Sequence, residues 1–462
     1  MEIGERSTLF VEVVFLAFVI FLIGALNLAA ESEPVRFNEA EVNPDIIICE
    51  EGESCDTSES HIYSDLSEGI ESAAENETVF IRKGTYSEDI TTLVPAPGVS
   101  IIGSGMDQVT IDGPDHTYRI SSKYITSNAI AAVGKDGVRI KGAKVHNSFS
   151  GYRLRNSSNG EISYTKAQNT HYGLSIVTTD NKETENNLLF ENTIKSTGGF
   201  GIGIHEANNN QVKNNIIEDT EGFGILMQIS DQNRISGNEL IRAGGIMHDK
   251  WRRDGIHLLW SDGNQIYGNN LIDSGGHGIY LDDSDGNIVK NNTVRNSSSD
   301  GITLTVSSNN RILRNHIKGG KVGVSLGKIR YSLVVPDKYK YGPYESFTNK
   351  VNFNSITETN KAGLEVNLIN KNLISLNATL NYWGSNTGPT VDWNNDGVID
   401  YYGGGDSIVG PEDSVAYSPW LADSLDTGTG IDTDPDTPGV QLPDTVNIMV
   451  DDVGPQPTTE DG

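Results

Sequence analysis

The chain has little positive charge: 34 Lys and Arg stand against 63 Asp and Glu, a formal net charge of −29 over 462 residues. Such a surface repels nucleic-acid phosphates, and no basic stripe compensates, so no nucleic-acid partner is expected. The balance suits a protein that stays soluble in salt or binds cations. Cysteine is scarce as well. Cys49 and Cys55 lie six apart and could close a small disulfide loop in an oxidising compartment. Nearby His61 alone does not complete a metal ligand set with them. Met and His number five and nine and form no cluster with ligand spacing, which leaves a copper site without ligands. Aromatics are only 7% of the chain, whereas Gly numbers 50, a balance that suits many tight turns better than a large aromatic core.

The clearest uncharged run is residues 13–26, followed by Asn27-Leu28-Ala29-Ala30. It fits the apolar region and small-residue cleavage point of a signal peptide. Counted from Val11 it is nearly long enough to cross a bilayer, so an uncleaved membrane anchor fits too. Either reading puts the rest of the chain outside the cytoplasm, secreted or at the cell surface. Four segments are expected. Residues 1–30 are the signal peptide or anchor, 31–61 an irregular linker, 62–422 a repeat region, and 423–462 an acidic disordered tail rich in Asp, Thr, Pro and Gly.

The repeat is read from Gly, aliphatic, any residue, aliphatic, which recurs at Gly201, Gly224, Gly255, Gly278, Gly301 and Gly323, with further matches at Gly151, Gly173 and Gly363. Several spacings are 22 or 23 residues. Two independent positions confirm the register. Asn stands nine residues after the Gly at 210, 233, 264, 287, 310 and 372, and fourteen after it at 215, 238, 269, 292, 315 and 377. One such coil cannot bury its own aliphatics, but stacked coils pair strand on strand about 4.8 Å apart and align equivalent residues. Asn tolerates left-handed backbone at the corners, and its amide can bond the amides above and below. The expected fold is therefore all-β, a parallel β-helix with coils of about 23 residues. The helix pattern near residues 65–74 would serve as its N-terminal cap.

This pattern resembles the right-handed parallel β-helix repeat superfamily, which includes pectate-lyase-like and polygalacturonase-like enzymes, mannuronan epimerases and NosD-type periplasmic proteins. The helix, strand and Gly84-Thr85-Tyr86 turn within residues 70–103 resemble its usual entry, and the resemblance extends over residues 62–422. It implies the fold and, because one scaffold hosts many chemistries, leaves the activity open.

Stacking turns the period into surface rows. One residue per coil points outward between the two inward aliphatics: Arg153, Ser175, Gly203, Leu226, His257, Tyr280, Thr303, Ser325 and Glu365. The residue before each Gly gives a second row: Tyr172, Phe200, Phe223, Asp254, His277, Asp300 and Val322. Asp254, His257, His277 and Asp300 thus fall on neighbouring coils, with Asp282 and Asp283 further along one strand; these six are the candidate catalytic residues. Tyr280 and the basic, aromatic insertion Lys250-Trp251-Arg252-Arg253 are candidate substrate contacts. Arg and Lys can hold a carboxylate or sulfate, and Trp can stack on a sugar. Gly276-His277-Gly278 and Asp282-Asp283 match polygalacturonase motifs, but in reversed order. Asp254-Gly255-Ile256-His257 is only partly similar to the Asp-Pro-His of mannuronan epimerases.

A second candidate is Asp392, Asn394, Asp396 and Asp400, which resemble the first half of a calcium loop that lacks its usual Glu. The sequence favours binding of an acidic polysaccharide, with or without hydrolysis, elimination or epimerisation. The alternatives are a non-catalytic surface or adhesion protein and, behind it, a NosD-like periplasmic metal-maturation protein.

Overall fold

The computed structural model describes residues 34–50, 61–87, 92–94, 96–113, 128–179, 182–245, 253–327, 348–367, 376–393, 399–411, 415–423 and 448–449. Its unit from Arg36 onward is built of three long sheets of parallel strands, with 15, 11 and 13 strands. Each complete coil gives one short strand to each sheet. The coil that starts at Gly255, for example, supplies Ile256–Leu259 to the third sheet, Gln265–Tyr267 to the first and Asn270–Ile272 to the second.

The inward aliphatics make one continuous core. Ile256, Leu258, Ile266 and Leu271 are all fully buried, and the same positions one coil later are Ile279, Leu281, Val289 and Val294. The Gly column has a steric cause. A Cβ on Gly255 would lie 2.7 Å from the Gly278 carbonyl oxygen, and one on Gly278 would lie 2.6 Å from that of Gly301. Backbones at this corner stack too closely for any side chain.

Asn residues form two corner ladders. In one, the backbone N–H of Asn233, Asn264 and Asn287 each donates at 2.7 Å to the Oδ1 of the Asn in the next coil. In the other, Asn215, Asn238, Asn269, Asn292 and Asn315 do the same at 2.9–3.0 Å, and their Nδ2 groups donate to the same oxygens at 2.9–3.0 Å. Left-handed backbone does occur at these corners, but one residue earlier than expected. Asn209, Asn214, Asn291 and Asn309 carry φ of 54–58°. The ladder Asn itself is buried, which suits an amide that satisfies two neighbouring coils.

The late register also differs from expectation. Asn310 and Asn315 are followed by Asn349 and Asn354, and the second ladder ends on Asn381. Asn372 lies outside the described residues, and Asn377 is instead an exposed strand residue that accepts from Asn352 Nδ2 at 2.8 Å. A simple count from Gly363 fails because that coil is itself longer: the ladder residue Asn381 stands roughly four positions later than the count places it.

Short strands occur in both flanking segments. Within the expected linker, Ile46–Ile48 is a buried strand of the first sheet, between Ile62–Tyr63 and Thr78–Ile81. A short helix, Leu66–Glu71, is N-capped by Asp65 through a 2.7 Å bond from Glu68 N–H and buries Leu66 and Ile70. Gly84-Thr85-Tyr86, expected as a turn, opens the strand Gly84–Ser87. Within the expected disordered tail, Ile448–Met449 pairs antiparallel with Trp420–Leu421. Among the described residues no helix is long and apolar enough to cross a membrane, and the apolar run 13–26 lies outside them.

Candidate functional site

The third sheet carries the candidate site. Its register aligns Arg153 with Ser175, Gly203, Leu226, His257, Tyr280, Thr303, Ser325 and Glu365, one per coil, as the period requires. The row faces away from the core, yet much of it is covered. The residue three positions earlier on each coil folds over it: a Cβ on Gly203 would meet the Phe200 ring, and Asp254 reaches His257. Thr303 and Ser325 are wholly buried in consequence.

Asp254 is the centre of the polar cluster and is 1% exposed. Its Oδ2 lies 2.7 Å from His257 Nδ1, and its Oδ1 accepts from the His277 backbone N–H at 2.7 Å. Burial acts to raise this carboxyl. The His257 hydrogen bond, the His277 and His257 charges and the His277 N–H outweigh it and hold the group below its ordinary value. An ionised Asp254 places the His257 proton on Nδ1. His257 Nε2 then has no hydrogen bond among the described residues and is the ring atom available for chemistry. The ring sits edge-on between Phe223 and Tyr280, at centroid distances of 4.9 and 4.7 Å, and keeps 8% exposure.

His277 is arranged in the opposite sense. Its Nδ1 accepts from the Asp300 backbone N–H at 3.3 Å and lies 2.8 Å from Thr303 Oγ1 and 3.6 Å from Asp300 Oδ2. Thr303 also reaches Asp300 Oδ2 at 3.3 Å. Asp254, His277 and Asp300 are thus brought together as a buried network. Asp300 is fully buried and His277 3% exposed. Carboxylates this inaccessible do not meet a glycan directly.

The remaining candidates separate. Tyr280 joins the cluster, and its hydroxyl donates to Thr305 Oγ1 at 3.2 Å. Asp282 is buried two residues further along that strand. Asp283 turns the corner at φ 51° and accepts from Trp260 Nε1 at 3.1 Å, a structural use. Gly276-His277-Gly278 has a packing explanation too: a Cβ on Gly276 would lie 2.6 Å from Asp254 Oδ1. Arg253 is anchored to the Glu221 carbonyl at 2.8 Å, while Lys250, Trp251 and Arg252 lie outside the described residues.

Of the calcium candidates, Asn394 and Asp396 lie outside the described residues. Asp392 stands in the strand Pro389–Trp393, and Asp400 Oδ2 accepts from Trp393 N–H at 2.6 Å, which closes a hairpin with Val391 bridged to Tyr401. Among the described residues no three His, Cys, Asp or Glu are grouped to hold a metal. Cys49 is buried and disulfide-bonded; Cys55, the only other cysteine, lies outside the described residues.

One feature of the face escaped the sequence reading. Phe149, His171, Tyr172 and Phe200 form a continuous run of ring contacts that leads toward Phe223 and His257. Tyr172 and Phe200 stack at 4.1 Å with planes 14° apart. All five hydrophobic and imidazole rings from Phe149 to Phe223 are partly exposed. The signal was the residue before each Gly, where Tyr172, Phe200 and Phe223 precede the polar Asp254.

The solved structure of the mannuronan C-5 epimerase AlgE6 A-module from Azotobacter vinelandii superposes with a TM-score of 0.51 at 16% identity, over 77% of this chain and 96% of that one. This chain is a right-handed parallel β-helix. Sequence comparison agrees: the family described as "Right handed beta helix region" matches residues 244–335 of the β-helix, and "Periplasmic copper-binding protein (NosD)" matches residues 106–251. Two further structures are similar at TM-scores of 0.49, too low to carry an argument. They are the PL6 family polysaccharide lyase Pedsa3628 from Pseudopedobacter saltans, at 16% identity over 82% of this chain and 94% of that one, and the Dettilon tailspike protein, at 14% identity over 72% and 62%. The β-helix thus spans less than two thirds of the tailspike's length. No curated protein matches in sequence.

Proposed function

We propose that the third-sheet face of this exported β-helix binds an acidic polysaccharide and that His257 acts there as a general base on a uronate ring. The observation that carries this reading is the 2.7 Å pair between a buried, ionised Asp254 and the His257 ring, which fixes the tautomer and leaves Nε2 as the free base. His257 Nε2 takes the proton from C5, the C5–H electrons pass into the adjacent carboxylate system, and the resulting enolate has two outcomes. Breaking the bond to the C4 oxygen gives elimination; return of a proton to the other face of C5 gives epimerisation. Tyr280, on the next strand with its ring 4.7 Å from His257, is the candidate proton donor.

Proton abstraction is preferred over hydrolysis because glycoside cleavage needs two carboxyl groups at the substrate, and Asp254 and Asp300 are almost wholly buried. The similarity to an epimerase module agrees with the substrate class, and the NosD match agrees with an extracytoplasmic location. The second reading, a surface protein that binds glycan without turnover, draws on the 8% exposure of His257.

The test is an NMR time course of the protein with polymannuronate, polygalacturonate and sulfated glycans. Unsaturated-sugar or altered anomeric signals that vanish in His257→Ala support the base. An unchanged spectrum across the panel, with binding retained, leaves only the second reading.

A further inference from the structure

Arg153 is the one Lys or Arg in the outward row of the third sheet, which runs from Leu93 through Ala131 to Glu365. Three arginines elsewhere in this acidic chain pair closely with carboxylates: Arg36 with Asp107, Arg82 with Glu39 and Arg242 with Asp219. Arg153 has none among the described residues. Its Nε is shielded from solvent and makes no hydrogen bond. Burial, followed by the charge of Arg155, acts against its protonated form. A guanidinium kept part-buried and unpaired is costly by itself and is resolved by an anion from outside.

The surroundings are shaped for such a ligand. Its strand neighbours carry small side chains, Ala131 before it and Ser175 after it. Tyr172, on the strand that pairs with that of Arg153, begins the stacked pair with Phe200. This gives a planar two-donor cation beside an apolar ring surface, the combination that suits a sugar bearing a carboxylate. Arg153 and His257 stand four coils apart in the same row, about 19 Å at ~4.8 Å per coil. One polymer chain laid along the row would meet both.

We propose that Arg153 is the carboxylate-binding residue of a distal subsite, which holds a uronate of the same polysaccharide several units from the ring at His257. The inference rests on the glycan-binding reading above and assigns Arg153 to binding, not to chemistry.

The experiment is calorimetric titration of wild type, Arg153→Gln and Arg153→Lys with polymannuronate and polygalacturonate oligosaccharides and with their carboxyl-reduced, neutral counterparts. Melting curves establish that each variant is folded. The expected result is that Arg153→Gln weakens binding of the acidic oligomers by about 10- to 100-fold and leaves the neutral ones unchanged, with Arg153→Lys between. Equal loss for acidic and neutral oligomers, or no loss for either, overturns the assignment while glycan binding itself stands. Wild type that binds none of the oligomers removes the glycan-binding reading and this subsite with it.

Discussion

The third-sheet face has two halves built on the same strand geometry. Over the coils that begin at Gly173, Gly201 and Gly224, the position before the Gly holds Tyr172, Phe200 and Phe223, whose rings lie part-exposed on the surface. Over the coils at Gly255, Gly278 and Gly301 it holds Asp254, His277 and Asp300, which turn inward upon one another and vanish from the surface. Apolar rings at this position are left for a ligand to cover, whereas ionisable groups are satisfied within the protein. The difference teaches that a cluster of titratable side chains in a sequence marks the chemistry of a site more reliably than its contact surface. On the proposed reading, the contact surface here is aromatic and lies on the neighbouring coils.

The sharpest way to break this comparison is to remove the one group that joins the two halves. His257→Ala should lower any turnover by about 10²–10⁴-fold while oligosaccharide affinity changes little, measured as kcat against KM. Asp254→Asn, which keeps the acceptor for His277 N–H but can no longer fix the His257 tautomer, should fall in the same range. A loss of affinity instead of rate would move the ionic half into the binding surface.

The next largest effect concerns the corner shared by both halves. Asn238 accepts two bonds from Asn215 and donates to Val212 O and Asn269 Oδ1 from full burial. Asn238→Ala should cost about 3 kcal/mol or more in urea unfolding, since several buried groups lose their partners together. Phe200→Ala, on the aromatic half, should weaken oligosaccharide binding by about 5- to 30-fold and leave kcat alone.

The smallest effect is acid sensitivity. The Asp254 pKa is lowered on folding from an ordinary 3.8, so its contribution is present above that value and is lost as pH falls through the lower folded pKa. Acid unfolding of Asp254→Asn should lack this part of the wild-type slope.

Much of the fold was legible because it is written in identical residues. The Gly column, the paired aliphatics and two Asn positions each report the same contact in coil after coil, so that chance agreement is excluded. The outward row from Arg153 to Glu365 was legible for the same reason. Burial was not. Whether Asp254 faces solvent or His257 depends on the side chain three residues away and on the backbone of the next coil, and no period encodes that. Toward the ends, Ile46–Ile48 and Ile448–Met449 are short strands set among polar residues, with no repeat to announce them. Arg153 was in plain view within the row, but its missing partner is a property of space and not of sequence.

The Asn ladder has a last consequence. The bond from Asn287 N–H to Asn310 Oδ1 spans 23 residues at 2.7 Å, while that from Asn310 to Asn349 spans 39 at 2.8 Å. Sixteen extra residues leave the joint unchanged. The scaffold therefore behaves as a rack with fixed rungs, into which lengths of chain can be spliced between rungs without retuning those above or below. Variation in what the protein meets and constancy in how it stands are thereby kept on separate parts of the same sequence.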